Sequence, residues 1–512
     1  MLRPGIIVTP GDLVDGFAAA APDDLAEPFA RLVEATWAGG QVTAGALSAV
    51  RRLGARFAGL DPHHQGHVAI LFGLLLEARR GDGLDAVHTV IADGFDQYLR
   101  AWPADRDADT LFFPLLYLLA HFPGRRAEVL AAPGTGVLDR DDRSRLDRAL
   151  ASLDEKNPDV GRAFPYPAAW ELNEDERDFD RAWIDRLGPQ ELQAHWDNDT
   201  ETVLGHLGAK AYWALLHGSP VPFVPTAEAA RAGDAPGRPA PGGLFGRHAE
   251  ALRCPHCHGR MSESGDAMVC AGCARSFPVA EGILNLTGTG APVDRSQDFL
   301  FKLAEMPTMG YFYETYARPN FLRLCGANWN AGITPAVEDA YIAEQVRPVD
   351  GPVLDLAAGA GRWTSVLAEH VGADRLIALD LGLPMLAALR ERLPAVPAVL
   401  GGADVLPFGD ATLGAVMCWN ALQAFPAQAP AAIREVGRCL RPGGTFTLLT
   451  FRNSPDPVYR YFVGRHHFPQ HAAGLHLFDY DDILRWIADA GLTIQDERTP
   501  GMFVIMTAVR AG

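Results

Sequence analysis

The sequence predicts a chain in three parts: an all-α N-terminal region, a four-cysteine metal ribbon, and an α/β domain with a doubly wound sheet. Three observations predict this. Apolar residues at three/four spacing dominate the first 225 positions, two Cys-x-x-Cys pairs stand near the middle, and strand and helix patterns alternate after Val346. The expected boundaries are a helical accessory domain over 1–225, a linker over 226–248, the ribbon over 249–290, a helical lid over 291–345 and the α/β domain over 346–512.

In the first region, stretches 25–37, 46–58, 67–79, 84–102 and 111–122 each repeat apolar residues every three or four positions between Gly, Pro and Asp. Each is expected to be a helix with a buried face, and a further helix is expected over 202–217. The part around Trp170, Glu171, Glu174, Asp175, Glu176, Trp183 and Trp196 is rich in tryptophan and acid. No repeat signature stands out. The plain reading is an accessory or dimerisation domain; the functional one is that it covers or selects a substrate. Residues 226–248 carry Pro and Gly at a density that opposes helix and sheet.

Cys254-Pro-His-Cys257 and Cys270-Ala-Gly-Cys273 are separated by twelve residues. Two residues between ligands let one turn place both sulfurs on one metal, and two such turns complete a tetrahedral site. Four thiolates leave no open position, so a structural Zn²⁺ is expected. His256 and His258 are read as exposed knuckle residues. Phe277–Leu286 reads as a strand-like hairpin arm. Arg247, Arg253, Arg260 and Arg275 are balanced by Glu250, Glu263, Asp266 and Glu281, which is no nucleic-acid footprint.

After Val346 come strand-like runs at 352–356, 376–380, 398–400, 413–419 and 445–451, with helical patterns between them. In such a sheet, ligands bind at the carboxyl ends of the strands. Gly359 and Gly361, at the first strand-to-helix turn, let the backbone pass close to a ligand. Asp380 ends the second strand, where it can accept two ribose hydroxyls. Asp404 follows the third strand and can accept an adenine amino group. A dinucleotide prefers a third glycine where this chain has Thr364, and its pyrophosphate would be repelled by Asp355. A ligand with a cationic amine and sulfonium suits that acid, which favours S-adenosylmethionine (SAM) over NAD.

Residues 296–512 resemble a class I SAM-dependent methyltransferase, with a Rossmann-like sheet, of the group that includes quinone and small-molecule methyltransferases. The resemblance rests on Val353-Leu-Asp-Leu-Ala-Ala-Gly-Ala-Gly-Arg-Trp363, on Ala403-Asp-Val-Leu-Pro-Phe408 followed by Asp410, and on Leu440-Arg-Pro-Gly-Gly-Thr-Phe446. Ala357 and Ala358 stand where many members have Gly-Cys or Ala-Cys. The resemblance implies that Asp355 and Gly359 hold the methionine moiety and Asp380 the ribose, with Ala357, Gly361, Leu381 and Met385 also at the cofactor site. It further implies that Asp404 and Val405 hold the adenine, and that Asn420 and Gln423 line the methyl-transfer face. A ribbon directly before such a domain resembles the arrangement in a bacterial ribosomal-RNA guanine methyltransferase. Neither resemblance covers the first 245 residues.

Between ribbon and sheet, 298–346 is rich in aromatics, among which Tyr311 and Tyr316 are candidates for SAM or substrate contact; plain packing is the alternative. The insert 452–478 carries His466, His467, His471 and His476, and inserts at this place commonly wall the acceptor pocket. His476 is the candidate general base.

The chain has 512 residues, 48% hydrophobic and 21% charged, enough for several cores. Net charge is −18, from 63 acidic and 45 basic residues, which opposes a life on nucleic acid or an anionic membrane. Only Lys156, Lys210 and Lys302 are lysines, so the arginine richness is compositional. No apolar run reaches the ~18 residues of a membrane span. Pro4, Pro10, Gly11, Asp12 and Asp15 interrupt any secretory leader. Seven scattered or clustered cysteines fit a reducing cytoplasm. The expected function is methyl transfer from SAM to a small-molecule acceptor such as a specialised metabolite or phenol. The competing readings are rRNA or tRNA methylation, protein methylation, a non-enzymatic SAM-binding partner, and other SAM-assisted chemistry. The expected partners are the acceptor and, for self-association, a homodimer.

Overall fold

The computed structural model describes residues 9–106, 110–158, 174–217, 243–287, 317–467 and 475–512. They fall into two compact units: the chain up to His217 together with Trp329–Ala331 and 454–467, and the remainder.

In the first unit the described helices are α1 (Pro10–Ala19), α2 (Ala26–Thr36), α3 (Ala46–Arg56), α4 (Pro62–Leu76), α5 (Leu84–Asp93), α6 (Phe95–Ala101), α7 (Phe112–Leu119), α8 (Arg126–Ala131), α9 (Arg140–Leu150), α10 (Glu174–Ile184) and α11 (Pro189–His217). Helix α4 starts before the expected His67 because Asp61 caps it, accepting the His63 N–H at 2.9 Å. Almost all of α4 and α7 is buried, so these apolar helices form the middle of the unit. The helix expected over 84–102 breaks in two at Gly94, where a Cβ would meet the Tyr98 hydroxyl at 2.2 Å. Helix α11 runs 29 residues, well beyond the expected 202–217.

The second unit carries strands β3 (Met261–Ser264), β4 (Ala267–Cys270), β5 (Ser276–Ala280), β6 (Ile283–Asn285), β7 (Val353–Leu356), β8 (Leu376–Asp380), β9 (Ala398–Leu400), β10 (Leu413–Trp419), β11 (Leu440–Phe451), β12 (Leu492–Arg498) and β13 (Phe503–Arg510), after β1 (Gln41–Val42) and β2 (Arg80–Gly81) of the first. Its helices are α12 (Arg318–Gly326), α13 (Pro335–Gln345), α14 (Arg362–Val371), α15 (Leu383–Arg392), α16 (Ala429–Cys439) and α18 (Tyr480–Asp489); α17 (Pro457–Gly464) belongs to the first unit. The sheet order is β12-β13-β11-β10-β7-β8-β9-β6-β5-β4-β3. Strands β9, β8, β7, β10 and β11 are parallel neighbours, and β13 closes antiparallel on β11. The order reverses between β7 and β10, which is the switch point where ligands bind.

Two features depart from the expectations. The turn expected at Arg441–Gly444 is a bulge inside one long strand, because pairing with β10 jumps from Leu440 to Thr445. The ribbon continues the main sheet, with Ile283, Leu284 and Asn285 of β6 lying parallel beside Ala398, Val399 and Leu400 of β9. The fold also reaches back into the expected linker: Leu244 and Phe245 are buried in one core with Leu252, Phe277, Leu284 and Val399.

The excursion after β11 leaves and returns at one place. The Asn453 N–H donates to Phe478 O (2.8 Å), and the Phe478 N–H to Phe451 O (3.1 Å). Between these pins, 454–467 packs among the helices of the first unit. Phe462 fills a notch made by Gly205 and Gly208 of α11; a Cβ at Gly208 would lie 2.3 Å from its ring. Buried Glu77 accepts from Tyr117 (2.5 Å), Tyr461 (3.2 Å) and His121 (3.2 Å). Glu201 pairs with Arg465 (3.0 Å), His467 (2.5 Å) and Arg79.

Candidate functional site

The carboxyl ends of β7, β8, β9 and β10 bring most of the expected residues to one edge of the sheet. After β7 the backbone turns left-handed at Ala357 (φ 60°), Gly359 (φ 55°) and Gly361 (φ 85°). Alanine bears that conformation at Ala357 because the peptide that follows it is anchored to the next strand: Ala358 N–H donates to Leu379 O at 3.1 Å. The two glycines differ. A Cβ at Gly361 would strike Leu389 at 2.9 Å, so its bareness serves packing, whereas a Cβ at Gly359 would meet no atom of the described residues within 4 Å. Among the described residues the space in front of Gly359 is open, as a turn that cradles a ligand requires.

Asp380 fixes this turn. One carboxylate oxygen accepts the Gly359 N–H at 2.9 Å and the other the Gly382 N–H at 2.7 Å. Asp355 lies deeper, 2% exposed, and accepts the Thr364 hydroxyl at 2.6 Å. Burial pushes its carboxyl up to about 7, the nearby Asp380 charge adds to the rise, and the Thr364 bond opposes it. Met385 is half-buried behind the Asp380 turn.

Leu381, Leu383 and Val405 are each about half exposed, at 54%, 50% and 49%. They flank the ends of β8 and β9 and are among the few large apolar side chains the described surface leaves open. Asp404 is exposed beside Val405. Its loop is gripped on both sides. Ribbon residues hold it through Arg253 N–H to Pro407 O (2.9 Å) and Gly409 N–H to Ala251 O (2.8 Å). Helix α16 holds it through Leu406 N–H to Glu435 (2.9 Å) and Arg438 to Phe408 O (2.9 Å).

Asn420 follows β10 in a left-handed conformation (φ 58°), with its N–H on Leu449 O at 2.9 Å. Gln423 is 8% exposed; its amide donates to Asn420 O (2.7 Å) and accepts from Thr450 (3.3 Å). Both ends of this side chain are engaged in bracing the Asn420 turn. His476 is exposed, its ring 4.7 Å edge-on to Phe478 beside the end of β11, and partial burial lowers its pKa. His467, from the same insert, is bonded to Glu201 in the first unit. Tyr311, Tyr316 and His471 lie outside the described residues.

Sequence reasoning missed a clasp on α13. Glu338, 1% exposed, accepts both Arg318 Nε (2.9 Å) and Arg318 Nη2, and the Trp419 indole N–H at 2.9 Å. The next residue, Asp339, takes Arg362 of α14 at 2.7 and 2.9 Å. One helix therefore ties the end of β10 to the glycine turn after β7. Adjacent acids in a helix gave no sign of this, because such pairs usually face water.

The four ribbon cysteines place their sulfurs within 4.8 Å of one another. Cys254–Cys273 and Cys257–Cys270 are 3.7 and 3.4 Å apart. Zn–S bonds of about 2.3 Å in a tetrahedron imply sulfur separations of about 3.8 Å, so the set fits a single zinc ion. A Cβ at Gly259 would lie 2.9 Å from the Cys270 sulfur, and the Gly272 N–H donates to that sulfur at 3.3 Å. These are the marks of a thiolate cradle.

The sheet order is that of the class I methyltransferase fold, and residues 353–444, which hold the glycine turn and the Asp380 anchor, match the family described as a methyltransferase domain. The chain is 26% identical over 285 residues to an uncharacterized chloroplastic methyltransferase of Arabidopsis thaliana, covering 51% of this chain and 78% of that protein. It is 39% identical over 107 residues to the demethylmenaquinone methyltransferase of Corynebacterium kroppenstedtii, covering 21% of this chain and 44% of that enzyme. A solved geranyl diphosphate C-methyltransferase of Streptomyces coelicolor, bound to S-adenosyl-L-homocysteine, is 14% identical over 34% of this chain and 78% of its own, with a TM-score of 0.29. Among the described residues no helix is long and apolar enough to cross a membrane.

Proposed function

We propose that this chain transfers the methyl group of SAM to a small-molecule acceptor. An acceptor lone pair forms the new bond to the methyl carbon as the carbon–sulfur bond breaks in line. The electron pair stays on sulfur, giving neutral S-adenosylhomocysteine, and the acceptor loses its proton. The protein's share is alignment and exclusion of water. In this reading Asp355 and the turn at Ala357, Gly359 and Gly361 receive the methionine end, and Asp380 the ribose. Leu381 and Val405 enclose the adenine with Met385 behind, and Asp404 takes its amino group. Asn420, braced by Gln423, faces the methyl. His476 is the base when the acceptor is a hydroxyl; its lowered pKa keeps it neutral, and so able to accept a proton, near pH 7.

The carrying observation is the open space at Gly359 beside an Asp380 already fixed by two amides, flanked by apolar side chains left open to water. Small-molecule acceptors are favoured over RNA because the chain is acidic, at net charge −18. Cys254, Cys257, Cys270 and Cys273 hold a structural Zn²⁺, which supplies no chemistry to the transfer. The helical unit serves as the mount of the excursion 454–467.

Calorimetric titration with SAM tests the reading. Binding by the intact chain, lost in Asp380→Ala at an unchanged melting temperature, is the expected result. No SAM binding by the folded chain would overturn it.

A further inference from the structure

A cavity of about 350 Å³ opens between the first turns of α13 and the β12–β13 hairpin. That volume lies at the lower end of the range for small-molecule sites. Its walls include Ile333, Val337, Glu338, Tyr341, Arg498 and Ile505. Most of this lining is apolar, and Tyr341 adds a flat ring.

Its two charges differ in kind. Glu338 is neutralised in place, buried and held by the Arg318 fork and the Trp419 indole. Arg498 is held more loosely. Its guanidinium carbon lies 4.8 Å from the Tyr341 ring centroid, and its Nε forms a long ion pair with Asp496 at 3.6 Å, beyond a good hydrogen bond. A guanidinium steadied on an aromatic ring, with its donors unbonded among the described residues, can still take a carboxylate or phosphate. The cavity therefore offers a ligand an apolar room with one guanidinium whose hydrogen-bond donors are open.

The cavity also abuts the transfer edge. Glu338 bonds Trp419, the residue before Asn420. Ile505 pairs with Leu449, whose carbonyl receives the Asn420 N–H.

We propose that this cavity is the acceptor site, and that it takes a compact, ring-sized molecule bearing one acidic group that Arg498 holds. The inference rests on the methyltransferase reading above and adds the chemical class of its acceptor.

The test uses the full chain saturated with S-adenosylhomocysteine and two probes of one shape, 4-hydroxybenzoate and the neutral 4-hydroxybenzyl alcohol, followed by ligand-observed NMR. The acid should bind about tenfold more tightly than the alcohol, a difference of about 1.4 kcal/mol. Arg498→Gln should erase that preference and Arg498→Lys restore part of it. Val337→Trp, at a half-exposed wall position, should exclude both probes. SAM affinity and melting temperature should hold in all three variants, so a failure here is distinct from failure of the cofactor reading. Equal binding of acid and alcohol, or an Arg498→Gln variant that keeps the preference, would overturn the acid clause. Undiminished binding to Val337→Trp, or no binding of either probe up to about 10 mM, would overturn the site.

Discussion

Asp355 makes the stability of the second unit depend on pH in a direction opposite to that of most carboxylates. Burial holds its folded-state pKa at about 7, against 3.8 for an unperturbed aspartate. From about pH 4 to pH 7 the folded chain holds a proton that the unfolded chain has released, so stability falls as pH rises through that window. At 1.36 kcal/mol per unit, the full penalty above pH 7 is about 4 kcal/mol. Asp355→Asn removes the ionisation and keeps an oxygen for the Thr364 hydroxyl. The variant should therefore exceed the parent by up to about 4 kcal/mol at pH 8, less about 1 kcal/mol for a weaker bond to Thr364, and by under about 1 kcal/mol at pH 5, where most of the penalty has not yet built up. Urea unfolding of both proteins at the two pH values reads the difference directly, since every other titrating group is common to both. SAM brings cations above this carboxylate and stabilises its charged form, so the parent should release close to one proton on binding SAM at pH 6. Calorimetry in buffers of different ionisation enthalpy measures that proton. A stability gap between variant and parent that stays constant from pH 5 to pH 8 would refute the assignment of a protonated, buried Asp355.

Three further outcomes are expected. Stripping the ribbon of metal, or Cys254→Ser, should weaken SAM binding on the order of tenfold, because two backbone hydrogen bonds from residues 251–253 steady the Asp404 loop and each contributes about 1 kcal/mol; unchanged affinity after verified zinc loss would separate ribbon from site. Gly359→Ala should abolish SAM binding yet cost only about 1–2 kcal/mol of stability, the penalty of a left-handed alanine, since no atom of the described residues lies in its way; retained binding by titration would place the cofactor elsewhere. Phe462→Ala should lose about 3–5 kcal/mol in the helical unit by emptying the Gly205–Gly208 notch. Limited proteolysis should then cut within 454–467 while SAM binding persists; resistance equal to the parent's would show that the notch does not hold the excursion.

What the sequence disclosed follows from how local the signals were. Strands β8 and β10 are apolar runs ending at Asp380 and before Asn420, and β7 is a short apolar run broken only by Asp355 ahead of the Gly359–Gly361 turn, so their ends and the residues after them could be named in advance. The cysteine quartet declared itself by spacing. Pairings between distant segments did not. Strand β6 is three residues long and includes Asn285, which gives no period to read, yet it joins the ribbon to β9. Glu338, Asp339, Glu77 and Glu201 look like surface acids in helical stretches; only the fold shows that arginines, tyrosines and histidines far along the chain surround them. The bracing of the left-handed Asn420 turn by the Gln423 amide was likewise not legible, because it depends on a backbone conformation the residue types do not announce.

The parts added to the methyltransferase sheet attach at the edge where SAM is expected. The ribbon pairs with β9 and with 407–409, holding the Asp404 loop from both flanks. Helix α13 joins the β10 end to the glycine turn through two adjacent acids. The excursion is pinned at the end of β11 and carries its middle into the helical unit, where Tyr461 and Arg465 join Tyr117 and His121 on Glu77, and Arg465 and His467 join Arg79 on Glu201. Leaving such acids buried without their partners costs about 3–5 kcal/mol each. The helical unit is therefore incomplete without chain from beyond β11. Removing the first 225 residues would likewise strip the excursion of its seat, so a truncated chain should be judged on acceptor turnover and on SAM binding separately: the cofactor turn lies wholly in the second unit and should survive the cut.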